Sequence, residues 1–150
     1  MALLVVAAGT VGLVIGILRR DDTVRVRTIP TPTAAERSAC FTLAGLLPQT
    51  IGDGLKSRTV RPASPLLHAW GTPAAVLRCG VGYPPDFKAD SMSGEIDGIN
   101  WYATQAPDSV IYTTVDRVPR VSLAVPRKYT QAFDLLVSLT KALKAATEGS

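Results

Sequence analysis

The N-terminal segment of this chain is apolar and long enough to cross a membrane. Residues Ala2 to Leu18 include no charged side chain, and a charged run from Arg19 to Asp22 follows directly. At about 1.5 Å per helical residue, a helix over these positions spans about 26 Å, close to the hydrocarbon thickness of a bilayer. The sequence therefore predicts a transmembrane anchor over residues 1–20, which contacts membrane lipid through residues 2–18.

A cleaved signal peptide and a buried helix of a globular domain are alternative interpretations of this segment. A signal peptide has a basic start and a small-residue cleavage site after its apolar core. Nothing basic precedes Ala2, and the core ends in Ile17-Leu18-Arg19, which favours an uncleaved anchor. Small residues recur every four positions, at Ala8, Gly12 and Gly16. This spacing either allows a homodimer of closely packed helices or reflects how common Gly and Ala are in membrane helices.

Two features conflict over the side of the membrane on which the rest of the chain lies. Four arginines between positions 19 and 27 favour a cytoplasmic location by the positive-inside rule. The chain also has two cysteines, Cys40 and Cys79, and a disulfide persists only in an oxidising compartment. Giving the cysteines more weight, we expect a single-pass protein of the cell membrane with its domain outside the cytoplasm.

The composition of the remaining chain indicates one domain with a solvated surface. About 115 residues remain after the anchor and a linker, enough for a single hydrophobic core. The chain has 16 basic and 12 acidic residues, a net charge of +4, and no run of like charge longer than two. Such scattered charge argues against nucleic acid as a partner.

Residues 21–32 are predicted to form a linker, and residues 33–146 the domain, followed by a tail at 147–150. The linker is polar and proline-containing, so we expect an extended stalk that lifts the domain off the bilayer, with a short edge strand as the alternative. Thr33 and Glu36 have the spacing of a capping box, which predicts a helix from there to about Leu46. Cys40 lies on the apolar stripe of this helix.

Alternating apolar residues predict four strands in the middle of the chain, at 74–80, 97–104, 110–116 and 120–125, the last three as an antiparallel meander. A loop over 80–94 separates the first strand from the others. Pro126 is predicted at the first position of a closing helix. The apolar stripe predicted for this helix consists of Tyr129, Ala132, Phe133, Leu136, Val137 and Leu143. The order of elements predicts a two-layer α+β domain, with both helices on one face of an antiparallel sheet.

The two cysteines are predicted to meet at the interface between helix and sheet. Cys79 shares a strand face with Leu77, and Cys40 lies on the inward stripe of the first helix. A disulfide between them is our expectation, and two free buried thiols are the alternative.

No motif in the sequence identifies a catalytic, metal or nucleotide site, so no metal or cofactor is predicted. The candidate binding surface joins Arg78, Tyr83, Asp116 and Arg117, with Thr113 and Thr114 nearby and Trp101, Tyr102 and the Tyr83-Pro84-Pro85 loop as aromatic and proline neighbours. The alternative is an envelope enzyme, hydrolase-like, that uses the single histidine, His68, with a carboxylate such as Asp116. Such a dyad requires the two groups to lie within about 3 Å of each other, directly or through one water.

Several sequence blocks resemble an actinobacterial membrane-protein family catalogued as domain of unknown function 3515. The blocks are Cys40 with Leu43 and Leu47-Pro48, Ala69-Trp70-Gly71-Thr72-Pro73, Val76-Leu77-Arg78-Cys79-Gly80-Val81, Trp101, Tyr112-Thr113-Thr114-Val115-Asp116-Arg117, and Val125-Pro126 with Tyr129. The resemblance covers about Cys40 to Leu143. It implies a membrane or exported protein with a paired cysteine, and it implies no activity. We therefore expect a membrane-anchored binding or interaction module of the cell envelope, whose partner is an envelope protein or a cell-wall component.

Overall fold

The computed structural model describes residues 22–149, which form an α+β domain of two helices and eleven strands. The helices are α1 (Ala34–Leu46) and α2 (Ala132–Ala146). The strands are β1 (Thr23–Arg25), β2 (Thr50–Ile51), β3 (Leu55–Arg61), β4 (Leu67–Trp70), β5 (Ala75–Cys79), β6 (Gly94–Ile96), β7 (Ile99–Gln105), β8 (Ser109–Thr114), β9 (Arg117–Val118), β10 (Val121–Pro126) and β11 (Glu148–Gly149).

The main sheet has the strand order β1-β3-β4-β5-β10-β8-β7-β6, and β2 pairs with β3 beside this path. The predicted meander is present, because β7, β8 and β10 pair antiparallel in that order. The sheet is mixed, however, and not wholly antiparallel as predicted. Its one parallel pair joins β1 to β3, because β1 comes from the segment before α1 and is not connected to β3 by a hairpin.

Helix α1 begins at the predicted capping box. The Glu36 backbone N–H donates to Thr33 Oγ1 at 3.3 Å, and the Thr33 backbone N–H donates to Glu36 Oε2 at 2.9 Å. These hydrogen bonds, the backbone one foremost, hold the pKa of the Glu36 carboxyl below its usual value. Cys40 and Leu43 are the fully buried residues of the helix, as the predicted stripe requires.

Both helices pack on the same face of the sheet and enclose the main core. Residues that alternate along β5, β7 and β10 point toward the helices, and their neighbours point to the opposite face. The fully buried members of this core include Leu43 from α1, Leu139 from α2 and Leu77 from β5. The sheet residues of the core are Ile51, Trp70, Ala75, Leu77, Cys79, Ile99, Trp101, Val121, Leu123 and Val125.

The start of α2 differs from the prediction, and its inward face agrees only in part, because Leu136 and Leu143 of the predicted stripe are buried in the core. Pro126 is the last residue of β10, paired with Ser109, and the helix begins at Ala132. Phe133 and Val137 of the predicted stripe are exposed, whereas Leu135 and Leu139 are buried. Apolar residues occur on both sides of this helix, so its periodicity alone does not determine which side packs against the sheet.

The two ends of the described chain are packed against the domain. Thr23–Arg25 forms the edge strand β1, and Val26 lies in a small second core with Val60, Leu67 and Ala69 on the face away from the helices. The packed region thus includes part of the segment predicted as a linker. At the other end, Glu148–Gly149 pairs with Arg117–Val118, so the predicted tail forms a strand.

Neither helix of residues 22–149 has the length and apolar character that crossing a bilayer requires. The predicted anchor over residues 1–20, with the Ala8, Gly12 and Gly16 spacing, lies outside the described residues.

Candidate functional site

The predicted disulfide is present. Cys40 on α1 and Cys79 on β5 are bonded, with their Cα atoms 5.7 Å apart, and both residues are fully buried. The bond closes a loop with a sequence separation of 39 and fixes α1 onto the centre of the sheet. Neither cysteine is therefore available as a nucleophile or a metal ligand.

The structure does not bring His68 and Asp116 together. His68 lies on β4, and its Nε2 is 3.0 Å from the carbonyl oxygen of Pro65. Burial lowers the pKa of His68, and no described carboxylate contributes to the shift. In the sheet, β5 and β10 lie between β4 and β8, so three strand spacings, about 14 Å, separate His68 from the strand that precedes Asp116. This geometry contradicts the proposed dyad.

Asp116 and Arg117 form hydrogen bonds with residues other than Arg78. The Asn100 side-chain amide donates to Asp116 Oδ2 at 3.1 Å, and Arg117 donates to the backbone carbonyl of Gly98 at 3.3 Å. Asp116 thus connects the turn after β8 to β7, and Arg117 of β9 bonds to the turn before β7. Thr114 also has a structural role, because its Oγ1 accepts a hydrogen bond from the Val121 backbone N–H.

The helix-free face of the sheet carries a row of polar side chains instead. Strand pairing places Arg78 beside Ser122, Ser122 beside Thr113, and Thr113 beside Tyr102. The row therefore crosses β5, β10, β8 and β7 at one level, with about 4.8 Å between neighbouring strands. We call Arg78, Ser122, Thr113 and Tyr102 the polar row.

A groove with a volume of about 490 Å³ lies over three members of the polar row. The segment that follows β5 forms one wall, and Thr28 of the N-terminal extended segment adds to the lining. The lining residues are Thr28, Arg78, Val81, Gly82, Tyr83, Pro84, Pro85, Thr104, Ile111, Thr113 and Ser122. Arg78 and Tyr83 are the two predicted site residues that the structure brings together here.

Aromatic contacts hold the groove wall in place. The Arg120 guanidinium lies 3.6 Å from the centre of the Tyr83 ring, on its face. Phe87 stacks on Tyr83, with ring centres 5.1 Å apart. The Phe87 ring also makes an edge contact with the Tyr102 ring, with ring centres 5.2 Å apart. The Arg120 carbonyl also accepts backbone hydrogen bonds from Gly80 and Val81. The wall is therefore fixed to the sheet at both of its ends, by Arg120 and by Tyr102.

The polar atoms in the floor of the groove have spare hydrogen-bonding capacity. Arg78 is half-buried and donates through Nε to the Thr28 carbonyl at 3.3 Å, and no described carboxylate forms an ion pair with it. Burial lowers the pKa of the Arg78 guanidinium, which still stays protonated at neutral pH. Ser122 and Thr113 are only 6% and 3% exposed, and neither hydroxyl is hydrogen-bonded to another described group.

At the far end of the polar row, Asp86 provides a negative charge. The Tyr102 hydroxyl donates to Asp86 Oδ2 at 3.0 Å, and this bond raises the pKa of Tyr102. The Thr104 hydroxyl lies 3.5 Å from the other carboxylate oxygen. Arg78 thus provides a positive charge at one end of the polar row, and Asp86 provides a negative charge beside Tyr102 at the other end.

Sequence reasoning missed Ser122, and of its two interpretations of Trp101, a core residue beside Ile99 or a member of the aromatic surface, the first is correct. Ser122 lies between the core residues Val121 and Leu123 in the strand. This alternation predicts that the Ser122 side chain lies on the outer face of β10. Trp101 is only 3% exposed and belongs to the core, so the aromatic surface consists of Tyr83, Phe87 and Tyr102 without it.

A family model described as Protein of unknown function (DUF3515) matches residues 1–149, which confirms the family expected from the sequence blocks. No curated protein and no solved structure matches the chain significantly.

Proposed function

Because the chain belongs to the DUF3515 family, whose description assigns no activity, we propose a role from its site: a membrane-anchored, extracytoplasmic binding module of the cell envelope. The apolar segment Ala2 to Leu18 is the membrane attachment in this proposal. The buried Cys40–Cys79 disulfide supports a location outside the cytoplasm, because cytoplasmic thiols are kept reduced.

The observation that carries the binding role is the groove over the polar row. Its floor combines a half-buried, uncompensated arginine with the unpartnered hydroxyls of two buried residues, and its wall is held by a chain of ring contacts. The groove volume of about 490 Å³ lies in the range typical of ligand sites. The groove is therefore the binding surface, and its partner is an envelope protein or a cell-wall component.

A crosslinking experiment in intact cells tests this role. A photo-reactive amino acid replaces Pro85, an exposed residue of the groove wall, in the full chain. As a matched control, the same amino acid replaces Phe133, an exposed residue of α2 on the opposite side of the sheet.

We expect a defined crosslinked species from position 85 and none from position 133. Arg78→Gln in the position-85 protein is expected to reduce that species at least several-fold, because the arginine is the charged group of the groove floor. Equal crosslinking from both positions, or none from position 85, would contradict a binding role for the groove.

A further inference from the structure

We propose that the groove binds the free carboxylate at the end of an extended peptide, with Arg78, Ser122 and Thr113 as its ligands. This inference rests on the proposed binding role and names the chemistry of the ligand. It assigns the carboxylate to the polar row and the adjoining peptide to the apolar part of the groove.

The charge of the groove favours a singly charged, planar anion. Arg78 is the one ionisable cation among the lining residues, and no described carboxylate neutralises it. A guanidinium presents two parallel N–H donors that match the two oxygens of a carboxylate. Of the Arg78 nitrogens, Nε is occupied by the Thr28 carbonyl, and no hydrogen bond to a described group involves the other two. They are therefore available to an anion.

The two hydroxyls extend the binding site from Arg78 across the sheet. Ser122 is the direct cross-strand neighbour of Arg78, and Thr113 is the next one. Each hydroxyl is a donor that rotates toward an acceptor. Since both residues are more than nine-tenths buried and both line the groove, their open side faces the ligand. One anion placed above Ser122 lies within reach of all three side chains.

The remainder of the lining suits a short apolar peptide better than a highly charged polymer. Ile111 of the floor and Pro84, Pro85 and Val81 of the wall are apolar. The Asp86 carboxylate at the far end of the polar row repels a second negative charge. A ligand with one anionic end and an uncharged body fits both features.

The test measures binding of model ligands to the full chain in non-ionic detergent micelles, by NMR of its backbone amides. The probes are acetyl-trialanine, its C-terminal amide, and dimethyl phosphate as a singly charged phosphodiester. We expect acetyl-trialanine to bind at least tenfold more tightly than its amide, with the largest shift changes on β8 and β10. Dimethyl phosphate tests whether a phosphodiester is the preferred anion.

Two variants assign the binding to the named residues. Arg78→Gln is expected to weaken acetyl-trialanine binding about tenfold to a hundredfold, because charge-assisted hydrogen bonds are lost. The matched control is Arg37→Gln, which removes an exposed arginine of α1 and leaves affinity unchanged. Ser122→Ala removes one hydroxyl from the floor and is expected to weaken binding several-fold, with the amide dispersion of the folded protein retained.

Equal affinity for acid and amide, preference for dimethyl phosphate, or no binding of acetyl-trialanine would each overturn the inference. Loss of affinity in Arg37→Gln as large as in Arg78→Gln would do the same. These results leave the proposed function intact if position 85 still crosslinks in cells. Failure of the crosslinking experiment instead removes the binding role itself.

Discussion

At the scale of single residues, Gly80 determines where the groove wall leaves the sheet. It follows the last residue of β5 and has a φ of +84°, in the left-handed region that favours glycine. A Cβ built on it lies 2.6 Å from Pro32 Cβ, closer than two carbon atoms in different residues approach. The chain therefore turns toward Tyr83 only because this position has no side chain.

We expect Gly80→Ala to destabilise the domain by about 2 kcal/mol or more, from the left-handed backbone and the contact with Pro32. Denaturant unfolding of the full chain measures the loss. Gly82→Ala is the matched control, since a Cβ there meets nothing within 4 Å and its φ is not positive. It is expected to range from no change to a gain of about 1 kcal/mol. Equal losses in the two variants would show that this account of Gly80 is wrong.

The residues of the candidate site were only partly predictable from the sequence. Side chains alternate between the two faces of β5, so Arg78 points away from the core face that carries Leu77 and Cys79. This direction can be predicted from the strand's own sequence. The pairing of β5 with β10 brings Arg78 beside Ser122 and close to Thr113. Because β5 and β10 are distant in sequence, no local pattern predicts their register. Residue type alone groups Asp116 with Arg78, whereas in the structure Asp116 accepts a hydrogen bond from Asn100 and does not line the groove.

At the scale of elements, the predictions that hold are those with local causes. The capping box fixes the start of α1, and the short connections of the meander fix its antiparallel pairing. Strands β2, β3 and β4 pair with their neighbours in sequence, but they are short or alternate only in part, so no local pattern predicts their bounds. The predicted start of α2 is wrong because proline suits the last position of a strand as well as the first turn of a helix, and Pro126 ends β10.

The disulfide is expected to be the main covalent stabiliser of the contact between α1 and β5. In the chain-entropy model, closing a loop of this length contributes about 4 kcal/mol, a large part of the 5–15 kcal/mol typical of a domain. Replacing Cys40 and Cys79 with alanine together should lower the free energy of unfolding by about that amount. Denaturant unfolding with and without a reductant measures it.

Two outcomes of the cysteine experiment are informative. The reductant is expected to destabilise the natural chain and to leave the double-alanine variant unchanged, since the variant has no disulfide to reduce. A loss below about 1 kcal/mol in the variant would contradict a stabilising role for the bond.

At the scale of the whole molecule, the sheet separates two functions. One face supports the helices and the main core, which includes the disulfide. The other face carries the small core around Val26 at one side and the groove over the polar row beside it. The residues that follow the edge strand β1 reach the groove, because the Thr28 carbonyl accepts a hydrogen bond from Arg78 and Thr28 lines the groove.

Chemical labelling tests the proposed location of this domain outside the cytoplasm. Ser93 is exposed in the loop before β6, distant in sequence from both cysteines, and Ser93→Cys introduces one free thiol. Cys40 and Cys79 are buried and bonded, so the new thiol is the reactive one. A membrane-impermeant maleimide added to intact cells is expected to label the variant and not the natural chain. A cytoplasmic protein with an exposed cysteine, expressed in the same cells, controls for leakage. Labelling only after the cells are permeabilised would place the domain in the cytoplasm. The positive-inside rule would then account for this orientation through the four arginines between positions 19 and 27.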